Sequence, residues 1–211
     1  MRAWPLLDLV LRTPRLELRP VRDVDLDDLV DAALSGIHEP HVRPFLHRWD
    51  VGSPDEVRRN LVQYHWRTRA AIAPDAWALE LGVHLDGRVV GVQAIEAKDL
   101  AVTRKVESGS WIRQDVQGRG IGTEMRQAVL LFAFDVLGAD VALSGYLEGN
   151  EASAAVSRKV GYVENGRGVV AVDGERYEDR RVRLDRDAFV RPDWRLQVEG
   201  WEAARRDLLG D

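Results

Sequence analysis

The sequence predicts a single mixed α/β domain, with helices packed on a central, mostly antiparallel sheet of about seven strands. Three observations carry that prediction. Apolar and polar residues alternate through several segments of strand length, most plainly at Trp77, Leu79, Leu81, Val83 and Leu85. The pairs Asp86-Gly87 and Asp173-Gly174 fall between such segments, as two-residue hairpin turns do. One strand–helix–strand crossover lies between residues 105 and 147, and a crossover of that length joins parallel neighbours, so the sheet is mixed.

The elements follow in order. "RLELRP" (15–20) sets Leu16 and Leu18 against charged neighbours, the pattern of a half-buried strand. Asp25 then caps a helix with Leu26, Leu29, Val30, Ala33 and Leu34 on one face. "GIHEPHVRPFLHRWDVG" (36–52), with three histidines and two prolines, reads as an irregular loop. "SPDE" (53–56) is a helix start, with Ser53 as N-cap, Pro54 in the first turn and Glu56 closing a capping box. Val57, Leu61, Tyr64 and Thr68 continue that helix. Strands at 77–85 and 89–95 form a hairpin, and "KVESGSWIR" (105–113) is the next strand. Over 123–137 a helix carries Met125, Ala128, Val129, Phe132 and Val136 on one face and further apolar residues off it, which predicts cover on both sides. A strand at 140–147, a helix at 151–159 and a last hairpin turning at Asp173-Gly174 complete the domain, expected over 1–187. Residues 188–211 hold Trp194 and Trp201 among charges and read as a tail, docked on the domain or at a dimer contact.

Composition narrows the function. At 211 residues the chain can bury a real core. A net charge of −5 and a pI near 5.6 argue against nucleic acid as the main partner, while leaving room for a local basic pocket. With no cysteine, disulfides, thiolate metal sites and cysteine nucleophiles are excluded. No apolar run approaches the roughly 18 residues of a membrane span. Residues 1–11 are interrupted by Pro5 and Asp8 and are followed by no cleavage pattern. A cytoplasmic protein is expected, without membrane contact.

In a sheet of this kind a ligand crevice is expected where the crossover splits two parallel neighbours. Beside it stands "QGRGIGTEMRQAV" (117–129). Its glycines lead into a helix N-terminus, where unpaired N–H groups and the positive dipole end suit an anion. A ligand-free tight turn accounts for the glycine spacing as well. Two nucleotide motifs do not fit: Gly-Lys-Ser/Thr is absent, and the spacing is GxGxG rather than GxGxxG, with the next strand ending in Gly145-Tyr146-Leu147.

Four stretches taken together say more. Gln117-x-x-Gly120-x-Gly122 resembles the Q/R-x-x-G-x-G/A signature of the GNAT superfamily of N-acetyltransferases, which binds the pyrophosphate of acyl-coenzyme A. "VESGSWI" (106–112) resembles that family's fourth strand. "NEASAAVSRKVGY" (150–162) and "TPRLELRPV" (13–21) resemble segments of its RimJ/RimL-type branch. The matches run in family order over roughly 13 to 184. The resemblance is strongest to an actinobacterial subgroup in which "SGSW" and "GTEMR" recur and at least one member accommodates succinyl-CoA.

The resemblance implies the GNAT fold, with its parallel pair splayed, and transfer of an acetyl or succinyl group from its CoA thioester to a primary amine by direct attack. The acceptor is a protein N-terminus or a small-molecule amine, and a homodimer is expected. Backbone groups near Ile112 and Arg113 would bond the thioester arm. Gln117 opens the signature, and N–H groups of Gly118, Arg119, Gly120, Ile121, Gly122 and Thr123 would hold the diphosphate. Side chains of Arg119 and of Arg158 or Lys159 would meet phosphate charge, or are solvated surface cations. Asn150 is a CoA ligand, an N-cap, or both.

Ser153 is the candidate acid for the departing thiolate, against a plain helix-start role. Ser157 is a further CoA-side contact and the reserve acid, or a structural serine. Where the branch places a glutamate before its last turn, this chain has "GVVAVDG" (168–174). Glu107 therefore becomes the first candidate base, directly or through water, and as a catalytic group it needs a pKa raised by burial. A structural carboxylate is the competing reading. His84, Glu80 and Asp99 are secondary.

By the same resemblance the first two helices and their loop wall the acceptor pocket. Asp23, Asp25, Asp27, Asp28 and Asp31 give that wall negative charge, or serve only as a capped helix start. His38, His41, His47 and Trp49 are placed to line it. His38 and His41 lack a third ligand, so no metal is assigned. A succinyl donor requires a cation near the acyl terminus. The non-enzyme alternative is an acyl-CoA-binding regulatory module, motivated by the missing glutamate.

Overall fold

The alternating strands give the sheet two apolar faces, and the computed structural model, which describes residues 4–210, covers both. The outermost residues of the spans predicted above, 1–3 and 211, lie outside the described residues. In chain order the elements are β1 (Val10–Arg12), β2 (Leu16–Pro20), α1 (Leu26–Leu34), α2 (Pro54–Ala70), β3 (Ala76–Leu85), β4 (Arg88–Lys98), α3 (Leu100–Thr103), β5 (Lys105–Ile112), α4 (Ile121–Leu131), β6 (Val141–Leu147), α5 (Glu151–Val160), β7 (Val163–Val172), β8 (Glu175–Asp185), β9 (Gln197–Glu199) and α6 (Trp201–Leu209).

One sheet runs β7-β8-β6-β5-β4-β3-β2-β1-β9. Every neighbouring pair is antiparallel except β5 and β6. The sheet thus has nine strands where about seven were predicted. The additional two, β1 and β9, are three residues each, too short for alternation to show. They pair with one another at the sheet's edge, Val10 opposite Glu199, so the tail contributes a strand as well as a helix.

On one face α4 lies over the larger cluster, with Leu18, Leu79, Leu81 and Ile95 fully buried beneath it. This helix is apolar nearly all round because the sheet takes one side while the tail takes another. Trp201 stands edge-on to Phe132 (5.4 Å), and Phe134 meets Phe189 (5.7 Å). The helix predicted over 123–137 starts two residues earlier, and its end, Phe132–Val136, widens to a π-turn in which Leu137 N–H reaches Phe132 O (3.0 Å). α6 is tied down by Trp77 Nε1, which donates to Leu208 O (2.9 Å).

On the other face Leu26, Leu29, Val30 and Ala33 of α1 and Val57 and Leu61 of α2 pack on Val89 and Val92. Leu34, assigned by periodicity to the buried stripe, is 42% exposed because α1 ends there. α2 begins as its sequence requires: Ser53 Oγ accepts from Glu56 N (3.3 Å), and the Glu56 carboxylate accepts from Ser53 N (2.8 Å). Both Asp-Gly turns adopt positive φ at both residues, 50° and 78° at 86–87, and 51° and 79° at 173–174. Among the described residues no helix is long and apolar enough to cross a membrane.

Candidate active site

The parallel pair is short. β5 and β6 are in register only from Lys105↔Val141 to Glu107↔Leu143, and then they part. Pairing with β4 alternates along β5, so Ser108, Ser110 and Ile112 turn their backbone groups toward the gap. Side chains close part of that edge. Ser144 Oγ donates to Ser108 O (2.8 Å), and Gln117 Nε2 donates to Ile112 O (3.0 Å) and Ile37 O (2.8 Å). Arg113 N–H is also engaged, with Val90 O (2.9 Å). The open edge therefore centres on Ser110 and the Ile112 amide, slightly ahead of the position expected for the thioester arm. Gln117, first residue of the glycine signature, acts as a brace.

The glycine loop opens at the same end of the gap. Gly118 (φ 72°) and Gly120 (φ 80°) take left-handed backbone, and Gly120 caps α4 without a side chain. Glu124 N bonds Gly120 O (3.0 Å), which leaves the N–H groups of Ile121, Gly122 and Thr123 without a partner within the helix. At Gly122 a β-carbon would touch Val156 Cγ2 (3.5 Å), so α5 packs close to the loop. Residues that sequence reasoning passed over hold the loop from outside. Arg15 Nη1 donates to Arg119 O (3.0 Å) and its Nε to Glu124 (2.6 Å). The buried Glu124 also accepts from Thr13 Oγ1 (2.5 Å) and Arg15 N (3.1 Å). Arg119, Arg158 and Lys159 are exposed, and Arg158 makes a long contact with Glu151 (3.9 Å).

Across the gap, Asn150 Oδ1 accepts from Ser153 N (3.1 Å) and caps α5. Ser153 is half-buried in that first turn. Ser157 points inward, 2% exposed, and its hydroxyl has no partner among the described residues.

Between the parting strands, on the α4 face, sits a group that the sequence did not single out. Arg126 is 3% exposed and bridges the gap, Nη1 to Ser144 Oγ (3.1 Å) and Nη2 to Ser110 Oγ (3.3 Å), with its guanidinium 6.0 Å from the centre of the Tyr162 ring. Among the described residues no carboxylate pairs with it and its Nε has no partner. Gln93, opposite Ser110 in register, is also buried with Oε1 unpaired. A buried cation without a counter-charge is costly and favours an incoming anion.

The opposite face of the same strands is acidic. Glu80, Ala94 and Gly109 form one row across β3, β4 and β5, and Glu96 stands opposite Glu107 in the next. The Tyr64 hydroxyl donates to Glu80 Oε1 (2.6 Å). Burial lifts the half-buried Glu80 carboxyl to about 7 against the lowering effect of that hydrogen bond. Burial, then the charge of Glu107, raises Glu96. Glu107, the first candidate base, is exposed. His84 is buried, and burial lowers its pKa. Asp99 stands at the start of α3. Trp111 shares the acidic face, with Trp49 5.4 Å away and Phe45 5.1 Å beyond it.

Of the five aspartates near α1, Asp25 is buried and Asp23, Asp27, Asp28 and Asp31 are exposed. Asp25 accepts twice from Arg19 (3.0 and 2.8 Å) and once from Arg22 N (2.9 Å), so, against expectation, its side chain makes no cap hydrogen bond to α1. Asp23 accepts from Trp66 Nε1 (3.1 Å) and Arg69 (2.5 Å), and Asp27 meets Arg58 (3.3 Å). His38 Nε2 lies 2.7 Å from Asp50, while His41 and His47 are exposed. No group of three or more His, Asp or Glu among the described residues is placed to hold a metal.

The parting parallel pair, the glycine-capped start of α4 and the helices on both faces of the sheet define a mixed α/β protein. The model of the acetyltransferase (GNAT) domain matches residues 15–163, and the chain belongs to that family. YdaF of Bacillus subtilis (strain 168), described as a candidate ribosomal N-acetyltransferase, is 31% identical over 115 residues, which span 54% of this chain and 60% of that relative. Among solved structures, Mycobacterium smegmatis RimJ in complex with CoA-disulfide has a TM-score of 0.70 at 22% identity, covering 96% of this chain and 94% of that one. The RimL ribosomal L7/L12 α-N-protein acetyltransferase in complex with coenzyme A has a TM-score of 0.63 at 18% identity, covering 83% of this chain and 97% of that one. At these identities the structural likeness is one of fold.

Proposed function

We propose that the protein is an acyl-CoA-dependent N-acyltransferase. The observation that carries this is the β5–β6 ladder, which stops after three rows next to the N–H groups of α4. On this reading the amides of Gly118 to Thr123 bind the diphosphate, aided by Arg119 and Arg158. The open edge of β5 orients the thioester arm, and an amide there polarises the carbonyl. A neutral amine on the acidic face attacks, Ser153 protonates the departing thiolate, and a carboxylate of that face serves as base, directly or through water. The names of YdaF and RimL favour a protein N-terminus as acceptor over a small amine. The reading also has the enzyme act in the cytoplasm as a homodimer, and a monomer by light scattering at micromolar concentration removes the second point.

Acetyl-CoA is the family's ordinary donor. Succinyl-CoA is the second reading, and Arg126 favours it, since its guanidinium, with no carboxylate partner among the described residues, supplies a cation between the parting strands. Calorimetric titration with acetyl-CoA, succinyl-CoA and free CoA, followed by CoA release with a panel of amines and N-terminal peptides, tests both. Absence of binding defeats the whole reading. Binding without turnover across the panel favours a regulatory module. With Arg126→Met, a succinyl preference should fall by roughly tenfold or more, and equal affinities in both proteins rule the succinyl donor out.

A further inference from the structure

We infer that Glu80, held by Tyr64, is the group that takes the proton from the acceptor ammonium; this rests on the transferase reading above. Position is the first argument. Gly109 is the next residue of β5 on the acidic face after Glu107, the last residue paired with β6, so the row Glu80–Ala94–Gly109 runs straight to the opening of the gap. Two strand spacings, about 10 Å, separate Glu80 from Gly109 across the sheet. Within the row that distance is floored by one methyl group and one glycine, so no side chain of the row stands between the carboxylate and the opening.

Charge is the second argument. No lysine or arginine forms an ion pair with Glu80, Glu96 or Glu107 among the described residues, so a cationic amine is the missing partner of this face. The Glu80 carboxylate accepts one hydrogen bond, from Tyr64, which fixes its direction. Facing it are Tyr64, His65 and Arg69 from α2 and Glu96 from β4, with Glu107 beyond on β5. Arg69 is turned to Asp23. Burial holds His65 down to about 4, so it stays neutral near pH 7, and burial pushes the Tyr64 hydroxyl up. Glu80 itself, at about 7, divides between base and acid at neutral pH, where a general base works best.

The step balances. The carboxylate removes one proton from the ammonium, and the freed lone pair forms the C–N bond as the C–S bond breaks. The second amine proton goes to the thiolate, and Glu80 returns its proton to water.

The test is the pH profile of kcat, across about pH 5 to 9, for the full chain with acetyl-CoA and an accepted amine. Wild type should show a rising limb near 7. Glu80→Gln should lose that limb and about a hundredfold or more of kcat, with KM for acetyl-CoA unchanged. Tyr64→Phe removes a bond to the charged form and should move the limb to higher pH at nearly unchanged plateau, a shift that a merely structural Glu80 would not produce. If Glu80→Gln folds and keeps its limb, or Tyr64→Phe leaves the limb in place, this inference fails while the transferase reading stands. If wild type releases no CoA with any amine, the transferase reading falls and takes this one with it.

Discussion

Gly120→Ala isolates what the glycine loop does. At φ 80° the residue is left-handed, and an added β-carbon would lie 3.4 Å from Arg15 Nη2, the far end of a flexible side chain, so space is not the obstacle. The obstacle is backbone conformation, which costs an L-residue about 1–2 kcal/mol there. That cost appears in one of two places. If the variant loop relaxes in the free protein, the N–H groups at the start of α4 turn away and the cost is met on binding, weakening CoA by about 5- to 30-fold. If Arg15 and Glu124 hold the loop in place, the same amount is lost from folding stability. Calorimetry with CoA and a denaturant melt on the same sample should together recover about 1–2 kcal/mol. Gly120→Asn should lose less, because asparagine tolerates this region. Unchanged affinity together with an unchanged melt in Gly120→Ala would refute the left-handed cap and the role built on it.

Three further outcomes are expected. Gly91→Ala should destabilise by at least about 1–3 kcal/mol in a denaturant melt, because its β-carbon would sit 2.2 Å from Trp111 O and 2.7 Å from Ile112 Cα, which move only if β4 and β5 separate. His65 and Glu80 should tilt the pH dependence of stability in opposite senses. Between about pH 4 and 6.5 the unfolded chain binds more protons at His65 than the native one, so its contribution is lost as pH falls. Between about 4.5 and 7 the native chain binds more at Glu80, so stability drops as pH rises. Denaturation midpoints across that range for His65→Leu and Glu80→Gln should therefore change slope with opposite sign. Asn150→Ala should cost about 1 kcal/mol as a lost N-cap, whereas Asn150→Asp keeps the acceptor and the stability. A melt of Asn150→Asp as low as that of Asn150→Ala contradicts the cap.

Long alternating strands, the two Asp-Gly hairpins, the Ser53 capping box and the glycine loop could all be read locally, since each depends on residues within a few positions of one another. β1 and β9 could not, because three-residue strands exist only by pairing with partners distant in the chain. Neither could the duties of Thr13, Arg15 and Glu124, which meet across more than a hundred residues of sequence. Gln117 was legible as part of a signature, yet its use as a brace depends on where Ile37 and Ile112 come to lie. Arg126 follows Met125 in an amphipathic helix and reads as an ordinary surface cation. Glu80, among alternating apolar residues of β3, was legible only as a secondary candidate base, because its burial comes from elements distant in the chain.

By itself, then, the sequence determined the mixed sheet, its crossover, and a glycine-capped helix suited to an anion, because periodicity, turn chemistry and capping act over short range. Only the tertiary structure decided which charges matter. A guanidinium becomes unusual when folding removes water and supplies no carboxylate, as at Arg126. A carboxyl's pKa rises toward neutrality when a sheet row and the overlying α2 bury it, as at Glu80. Burial and partners belong to the assembled chain, and they set the energy of a charge.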